Sequence, residues 1–428
     1  MATNVVRLPR PAGQRPPHER LGFFVRVGRS DHIELLHLIA RGEGGVFGFV
    51  IDAHNIDRHR ELITEARRRN FDVILDPKTQ QMGFPGAHTP RLASLPWGSS
   101  RHHAITDFDG ADGRRRASQV VEIALANGFT QILGPTHLLA SPNDPWLRRD
   151  IAMMNWTAES IASSGSDLSL IYSLALPMTL LRNASERRAI VDAIADAQCD
   201  AIWLKVENFG DDATGEKAAA YIEACRDFHD RGLPIIGDHV GGLPGLGAMA
   251  LGGISGIAHG VTMQQNFKAA GWRRPQPSGG GGASWRVYIP QLDLLLKRNV
   301  AEELLGASTQ IRGMCGCRDT HCCPHGVRDM LQYPARHAIY QRAREIERLG
   351  IVPESLRPQH YLDNNVRRIS DDVARIASLP LRNAALVDIL RERQRQLSRF
   401  RQMLAHTVEN SASASIAVAP RRRSEPQS

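Results

Sequence analysis

No uninterrupted apolar stretch in these 428 residues reaches the ~18 that a membrane span needs. The opening stretch Met1–Arg20 holds Arg7, Arg10, Arg15 and Arg20 without an apolar run, so it does not read as a signal peptide. Only six cysteines are present, too few for a disulfide-held secreted fold of this length, and four of them lie together, which suits a reducing compartment. A soluble, cytoplasmic protein with no membrane partner is expected. The chain also lacks the Gly-x-Gly-x-x-Gly turn that marks an open, doubly wound nucleotide-binding sheet. Gly241–Gly253 (GGLPGLGAMALGG) is glycine-rich but has no Lys-Ser/Thr end, which excludes a Walker loop. It reads as a tight turn with close helix packing or as a phosphate cradle. No interleaving of aromatic and basic residues marks a single-strand stacking surface.

What the chain does have is arginine. The formal net charge is +8, with basic runs at Arg67–Arg69, Arg114–Arg116, Arg148–Arg149 and Arg273–Arg274, and a further one at Arg421–Arg423 in the tail. Such runs fit a polyanionic partner, DNA or RNA, and equally a solvated surface.

Short Val- and Ile-rich runs recur along the chain, separated by helical patterns. The expected strands are Gly45–Asp52, Phe71–Asp76, Phe129–Gly134, Leu168–Leu174, Ala201–Val206, Pro234–Asp238, Ile254–Ala258 and Trp285–Pro290, with Phe23–Val27 as a spare that either lies at the barrel floor or displaces one of them. Amphipathic helices are expected between them, among others at Arg58–Arg69, Ala117–Asn127, Ser185–Gln198 and Gly215–Arg231. Strand–helix alternation dictates parallel pairing, and eight units fit a closed (β/α)8 TIM barrel. The expected organisation is a flexible N-terminus (1–20), the barrel (21–310), a zinc-binding subdomain (311–349), a helical C-terminal region (350–407) and a disordered basic tail (408–428). Asn383–Ala405, rich in Arg and Gln, reads as a surface or partner-facing helix, and Gln276–Ser284 (QPSGGGGAS) as a mobile loop or exposed insertion.

In a barrel of this kind the chemistry gathers where the strands end. The polar residues there are Asp52 and His54, then Asp76, Lys78 and Gln80, then Thr136 and His137, Ser173, Lys205 and Glu207, Asp238 and His239, His259 with Gln264 and Gln265, and finally Gln291 and Asp293. Lys205 and Glu207 share side-chain parity and are expected to form an internal ion pair. Arg148 lies in a loop (SPNDPWLRRD) and reads as a phosphate contact or equally as solvated surface.

The segment Cys315-Gly-Cys317-Arg-Asp-Thr-His321-Cys322-Cys323-Pro-His325 packs thiols and imidazoles too densely for a core segment and reads as a zinc site. The preferred ligands are Cys315, Cys317, Cys322 and His337, with Cys323 and His325 as alternates. Four protein ligands leave no position for water, so the Zn2+ is expected to be structural.

A barrel with a late Cys-x-Cys…Cys cluster and a helix that begins near a histidine resembles the tRNA-guanine transglycosylase superfamily, including its relatives that insert 7-deazaguanines into DNA. Cys315, Cys317, Cys322 and His337 match the family's ligand order but not its spacings. Gln131–Leu138 (QILGPTHL) is similar to a strand segment of the family, and Leu251–Ile254 (LGGI) to its glycine-rich substrate loop. The family's Asp-Ser-Gly-Gly-Phe-Gln motif is absent, and the seventh expected strand ends in His259-Gly-Val where the family has Asp. The resemblance implies a base exchange, in which a carboxylate attacks C1′ of a guanosine in DNA or tRNA, guanine leaves and a 7-deazaguanine takes its place. It implies Asp238 as nucleophile, Asp76 as the second carboxylate and Glu207 in reserve. His137, Lys205, His239, His259, Gln264 and Arg148 are the corresponding substrate-binding candidates. Two other expectations stand beside this one: a barrel lyase, aldolase or hydrolase acting on a small anionic metabolite, and a non-catalytic zinc-containing partner subunit. A homodimer is compatible with each.

Overall fold

The computed structural model describes residues 21–42, 45–274, 285–410 and 414–420. The expectations for residues 1–20, for Gln276–Ser284 and for Arg421–Arg423 lie outside the described residues.

Eight strands form the centre: β1 (Gly22–Arg26), β2 (Gly48–Asp52), β3 (Asp72–Asp76), β4 (Gln131–Leu133), β5 (Ser169–Pro177), β6 (Ala201–Glu207), β7 (Ile235–Asp238) and β8 (Gly256–Gly260). Each pairs in parallel with the next, and β8 pairs with β1, so the ring closes. Helices follow the strands in turn: α1 (His32–Ala40), α2 (Arg60–Arg68), α3 (Gly110–Ala126), α4 (Pro145–Ser164), α5 (Ala184–Ala193), α6 (Gly215–Arg226), α7 (Gly242–Ala250) and, after an insertion, α8 (Pro334–Gly350). This is a TIM barrel with a subdomain spliced between β8 and its helix; α8 returns to pack on α1 and β1.

One expectation fails here. The run Trp285–Pro290 is not a barrel strand, and Phe23–Val27 takes its place in the ring. The burial pattern gives the reason. All five residues of β1 are buried, as a strand between a filled interior and a helix layer must be. The later run is instead β9 (Arg286–Ile289), paired antiparallel with β10 (Leu294–Lys297) in a hairpin whose first residue is exposed.

The period of two along each strand sorts the core into an inside and an outside. Phe24, Val50, Ile74, Leu133, Ile171, Trp203, Ile236 and Ala258, one from each strand, form a single buried layer across the interior. Their neighbours, among them Val25, Phe49, Leu75, Tyr172 and Leu204, face the helices. Each fully buried aliphatic or aromatic side chain contributes about 1.5–3 kcal/mol of burial free energy.

The longest helix, Ala384–Glu409, buries Leu386, Leu390, Leu397, Phe400 and Leu404. It packs on α6, where Phe400 and Met403 close over Gly215. Its sparse apolar positions therefore meet the chain's own barrel, and its Arg- and Gln-rich positions lie on the surface, one of the two expected placements. The segment expected to be a disordered tail is also in part ordered: the Ala417 N–H donates to the Gly252 carbonyl and Val418 bridges Pro234, which lays 414–420 across the amino ends of the strands. Small apolar residues at 416–420 make that contact possible. Among the described residues no helix is long and apolar enough to cross a membrane.

Candidate active site and metal cluster

Two residues beyond the interior apolar layer, the same inward parity brings up Arg26, Asp52, Asp76, Ser173, Lys205 and Asp238. The carboxyl end of the barrel is thus floored by three cations and three carboxylates, counting Lys78 from the turn after β3. Arg26 is the hub. Its Nε and Nη2 reach both oxygens of Asp238 (2.5 and 2.7 Å), and its Nη1 reaches Asp76 Oδ2 (2.8 Å) and lies 3.9 Å from Asp52 Oδ1. Lys205 Nζ lies 3.2 Å from Asp238 Oδ2 and donates to Gln80 Oε1 (2.8 Å). Gln80 in turn donates to the Ser173 carbonyl (2.8 Å). Lys78 Nζ sits between Asp52 (3.4 Å) and Asp76 (3.9 Å).

Burial would raise the Asp76 carboxyl, but Lys78, Arg26 and Lys205 outweigh it and hold it well below the usual carboxylate range. Asp238 is held down in the same way against its burial, chiefly by Arg26 and Lys205. Desolvation lowers Lys205 below an ordinary lysine. Lys78 moves up, because Asp52 and Asp76 overcome its burial. Non-glycine residues in the left-handed region cluster at this rim: Lys78 (φ 62°), Asn208 (φ 63°), His239 (φ 60°) and Gln264 (φ 57°). Strain of this kind persists where surrounding structure enforces it, often at functional sites.

The expected site residues separate into groups. Asp76, Lys205, Asp238 and His239 do converge at the mouth. Asp238, however, is wholly buried with both oxygens in ion pairs, which makes it an anchor with no face open to attack. The expected Lys205–Glu207 pair does not form: Glu207 is clamped by Arg273 (2.6 and 2.8 Å), one layer higher, and Lys205 turns to Asp238. His239 Nδ1 contacts the carbonyl of exposed Gln264 (3.2 Å). His259 points outward against Phe23, and burial pushes it down to about 3. It follows the parity of Ile257 and so misses the mouth.

His137 is buried behind the mouth. Its Nδ1 meets Asp150 Oδ1 (2.8 Å), its Nε2 meets His103 Nδ1 (3.3 Å), and His103 Nε2 meets the Trp97 carbonyl (3.2 Å). Burial pushes both histidines down to about 3 and the Asp150 carboxyl well up, which favours the neutral form of each. Arg148 is not in a loop but in the first turn of α4, where Asp144 caps the helix and Pro145 opens it. It is exposed and lines a cleft of about 530 Å3 with Arg149 and Asn143. The glycine-rich segment after β7 is α7 itself. Its first turn is filled by the Asp293 carboxylate (Leu243 N–H to Oδ2, 2.9 Å), so no phosphate cradle is open there.

Sequence reasoning passed over Arg26 and Asp150. A single arginine ending a run buried on both faces was the available signal for the first. Asp52, noted only as a strand-end residue, is the mouth carboxylate with the most open face: its side chain is 22% exposed, against 8% for Asp76 and 0% for Asp238. Above the charged floor, Phe267 lies over Lys205 Nζ (5.6 Å), and Trp272 packs between Phe267 (5.0 Å) and Phe84 (6.0 Å).

The insertion holds the second cluster. Cys317, Cys322, Cys323 and His337 place four donor atoms within 4.8 Å of one another. His337 turns Nδ1 toward Cys322 Sγ (3.3 Å) and Cys323 Sγ (3.6 Å), while its Nε2 meets the Tyr288 carbonyl at 3.1 Å. An imidazole oriented from behind by a carbonyl is the usual second support of a ligating histidine. Three thiols and one imidazole suit a structural zinc ion. Cys323, an alternate in the expected set, replaces Cys315. The latter ends the helix Thr309–Cys315 and is buried outside the cluster. His325 is exposed and bonded to Asp329, so it is not a ligand.

No known protein-family model matches the sequence, and no curated protein matches it. Among solved structures, the carboxyl transferase domain of Rhizobium etli pyruvate carboxylase aligns over 91% of this chain at 9% identity, with a TM-score of 0.38. The chain spans 62% of that domain's length. A GH10 xylanase from Bispora sp. MEY-1 aligns over 61% of this chain and 91% of its own, at 9% identity and a TM-score of 0.39. The closed ring of strand pairs, rather than either likeness, defines the fold.

Proposed function

We propose that the barrel mouth is the active site of a glycosyl transferase that exchanges a nucleobase in DNA or tRNA, guanine leaving and a 7-deazaguanine entering. The observation that carries this reading is an open carboxylate, Asp52, on a cationic floor (Arg26, Lys78, Lys205) where Phe267 lies over Lys205 with Trp272 and Phe84 packed beside it. An oxocarbenium-like sugar calls for an adjacent anion, and a planar base calls for a ring face. The nucleophile moves from the expected Asp238 to Asp52, because attack needs a free lone pair.

In this scheme an Asp52 oxygen bonds to C1′ as the C1′–N9 bond breaks. The bonding pair leaves with guanine, which takes a proton from the Lys78 ammonium. The incoming base returns its ring N–H proton to the Lys78 amine, and its nitrogen displaces Asp52 from C1′. Asp76 and Arg26 keep the floor charged and ordered throughout. The zinc cluster supports the subdomain and takes no part in bond changes. A nucleotide reaches such a mouth by leaving the stack, and in this reading exposed arginines such as Arg148 take phosphates.

The test is incubation of the whole protein with labelled guanine and either DNA or tRNA, followed by peptide mass spectrometry. Label incorporation, a ribosyl or deoxyribosyl adduct on Asp52, and loss of both in Asp52→Asn are expected. Turnover of small anionic molecules with no nucleic-acid dependence overturns the proposal in favour of a metabolic barrel enzyme. Neither activity, with intact partner binding in Asp52→Asn, favours a non-catalytic subunit.

A further inference from the structure

Asp293 sits where the metal-bearing insertion meets the barrel. It follows β9 in the hairpin turn, in the left-handed region at φ 45°. Its carboxylate is buried and receives four donors. Oδ1 accepts from Arg342 Nη2 (3.1 Å) and from the Tyr288 hydroxyl (3.0 Å), whose one proton it shares with Glu345 Oε1 (3.0 Å); Oδ2 accepts from Arg393 Nη2 (2.9 Å) and the Leu243 backbone N–H (2.9 Å). These donors come from the hairpin, α8, the C-terminal helix and α7.

Two of those contacts form a continuous line. On one side, Tyr288 offers its carbonyl to His337 Nε2, and His337 belongs to the Cys3His cluster. On the other, Leu243 lies in the first turn of α7, three residues after Val240 and five after Asp238. That helix brings no cap of its own: Gly241 has no side chain to offer, and Gly242 stands at φ 61° with space for a Cβ only 3.2 Å from Asp293 Oδ2. The close approach needs glycine at this position. The helix that fixes the backbone after Asp238 and His239 is therefore capped from the insertion, not from its own sequence.

We propose that Asp293 is a positioning residue that couples the Cys3His cluster to the mouth segment His239–Leu243, so that loss of the metal loosens the rim of the barrel as well as the insertion. The coupling runs through a contiguous set of hydrogen bonds, and a shared response of both places to one perturbation is what demonstrates it. It does not depend on the base-exchange chemistry.

Hydrogen–deuterium exchange on the full-length protein tests it. Tyr288→Phe removes only the hydroxyl and leaves the carbonyl that meets His337. It is expected to speed exchange in peptides spanning 239–250 by about five- to tenfold, the scale of one net hydrogen bond, with zinc content unchanged. Removing zinc from the unaltered protein with 1,10-phenanthroline is expected to speed the same peptides by a similar factor, and to add little in Tyr288→Phe. Asp293→Asn is expected to give the larger effect; should it fail to fold, Tyr288→Phe decides. Unchanged exchange of 239–250 in zinc-bearing Tyr288→Phe overturns the proposal, as does a chelator response confined to residues 286–345.

Discussion

Replacing Arg26 by methionine is the sharpest perturbation available, because methionine keeps most of the volume and removes the hub charge. Arg26 is 3% exposed, Asp238 0% and Asp76 8%, so solvent screening discounts little of the interaction. Removing one partner of a buried ion pair costs about 3–5 kcal/mol, because the remaining charge is left uncompensated. For a chain of this size that is a fall in Tm on the order of 5 °C. The pH dependence makes the test specific. In the unaltered protein both carboxyls are held below their unfolded values, so their stabilisation is present above about pH 4 and is lost as pH falls through the lower folded values. Without the guanidinium, burial is the dominant influence on Asp238 and moves its carboxyl upward, offset in part by Lys205 and His239. The variant then gains relative stability as the solution is acidified. The difference between the two proteins, measured by chemical denaturation across about pH 4.5 to 8, should be largest at the alkaline end and narrow toward the acid end. A loss below about 1 kcal/mol, the scale of a surface ion pair, or a difference independent of pH, refutes the assignment of Arg26 as the hub.

Purified protein should contain one zinc per chain by elemental analysis; Cys317→Ser, Cys322→Ser, Cys323→Ser and His337→Ala should each lose it, whereas Cys315→Ser should keep it. Asp150→Asn should preserve the buried row through His137 and His103, since an amide reproduces the donor and acceptor of a protonated carboxyl; its stability should match the parent within about 1 kcal/mol below about pH 4 and exceed it increasingly above that. Burial raises the Asp150 carboxyl and so favours its neutral form in the folded protein. Its contribution is full below the unfolded value and falls as pH rises, so the amide variant should also flatten the alkaline side of the stability profile. Asp150→Ala, which orphans His137 Nδ1 and the His137 N–H, should cost about 1–3 kcal/mol for each group left unpaired.

The parallel barrel was legible because seven of its eight strands carry runs that are apolar on both faces, four of them (β2, β3, β6 and β7) ending in a carboxylate. The eighth was misassigned for a physical reason. Phe23–Val27 and Trp285–Pro290 are equally strand-like in composition, and only their surroundings distinguish a strand buried on both sides from a hairpin with one wet edge. Side-chain parity was the stronger guide to the site. Val50, Ile74, Trp203 and Ile236 fill the interior, so Asp52, Asp76, Lys205 and Asp238, each two residues later, had to point the same way. The same rule would have excluded His259, which is one residue after the inward Ala258, and would have admitted Arg26, two after Phe24.

Parity cannot say which inward carboxylate is free, because that depends on how cations from other strands divide themselves. Arg26 comes from β1, Lys205 from β6 and Lys78 from a left-handed turn after β3; together they saturate Asp238 and most of Asp76. Asp52, whose ion-pair contacts among the described residues are the longer ones of 3.4 and 3.9 Å, keeps a side chain 22% exposed. The metal ligands follow the same logic. Cys322 and Cys323 are adjacent in sequence, and a spacing argument treats them as alternatives, yet both converge with Cys317 because the turn at 318–321 folds back on α8. In both sites the residue types were visible along the chain, and the choice among them was made by partners distant in sequence.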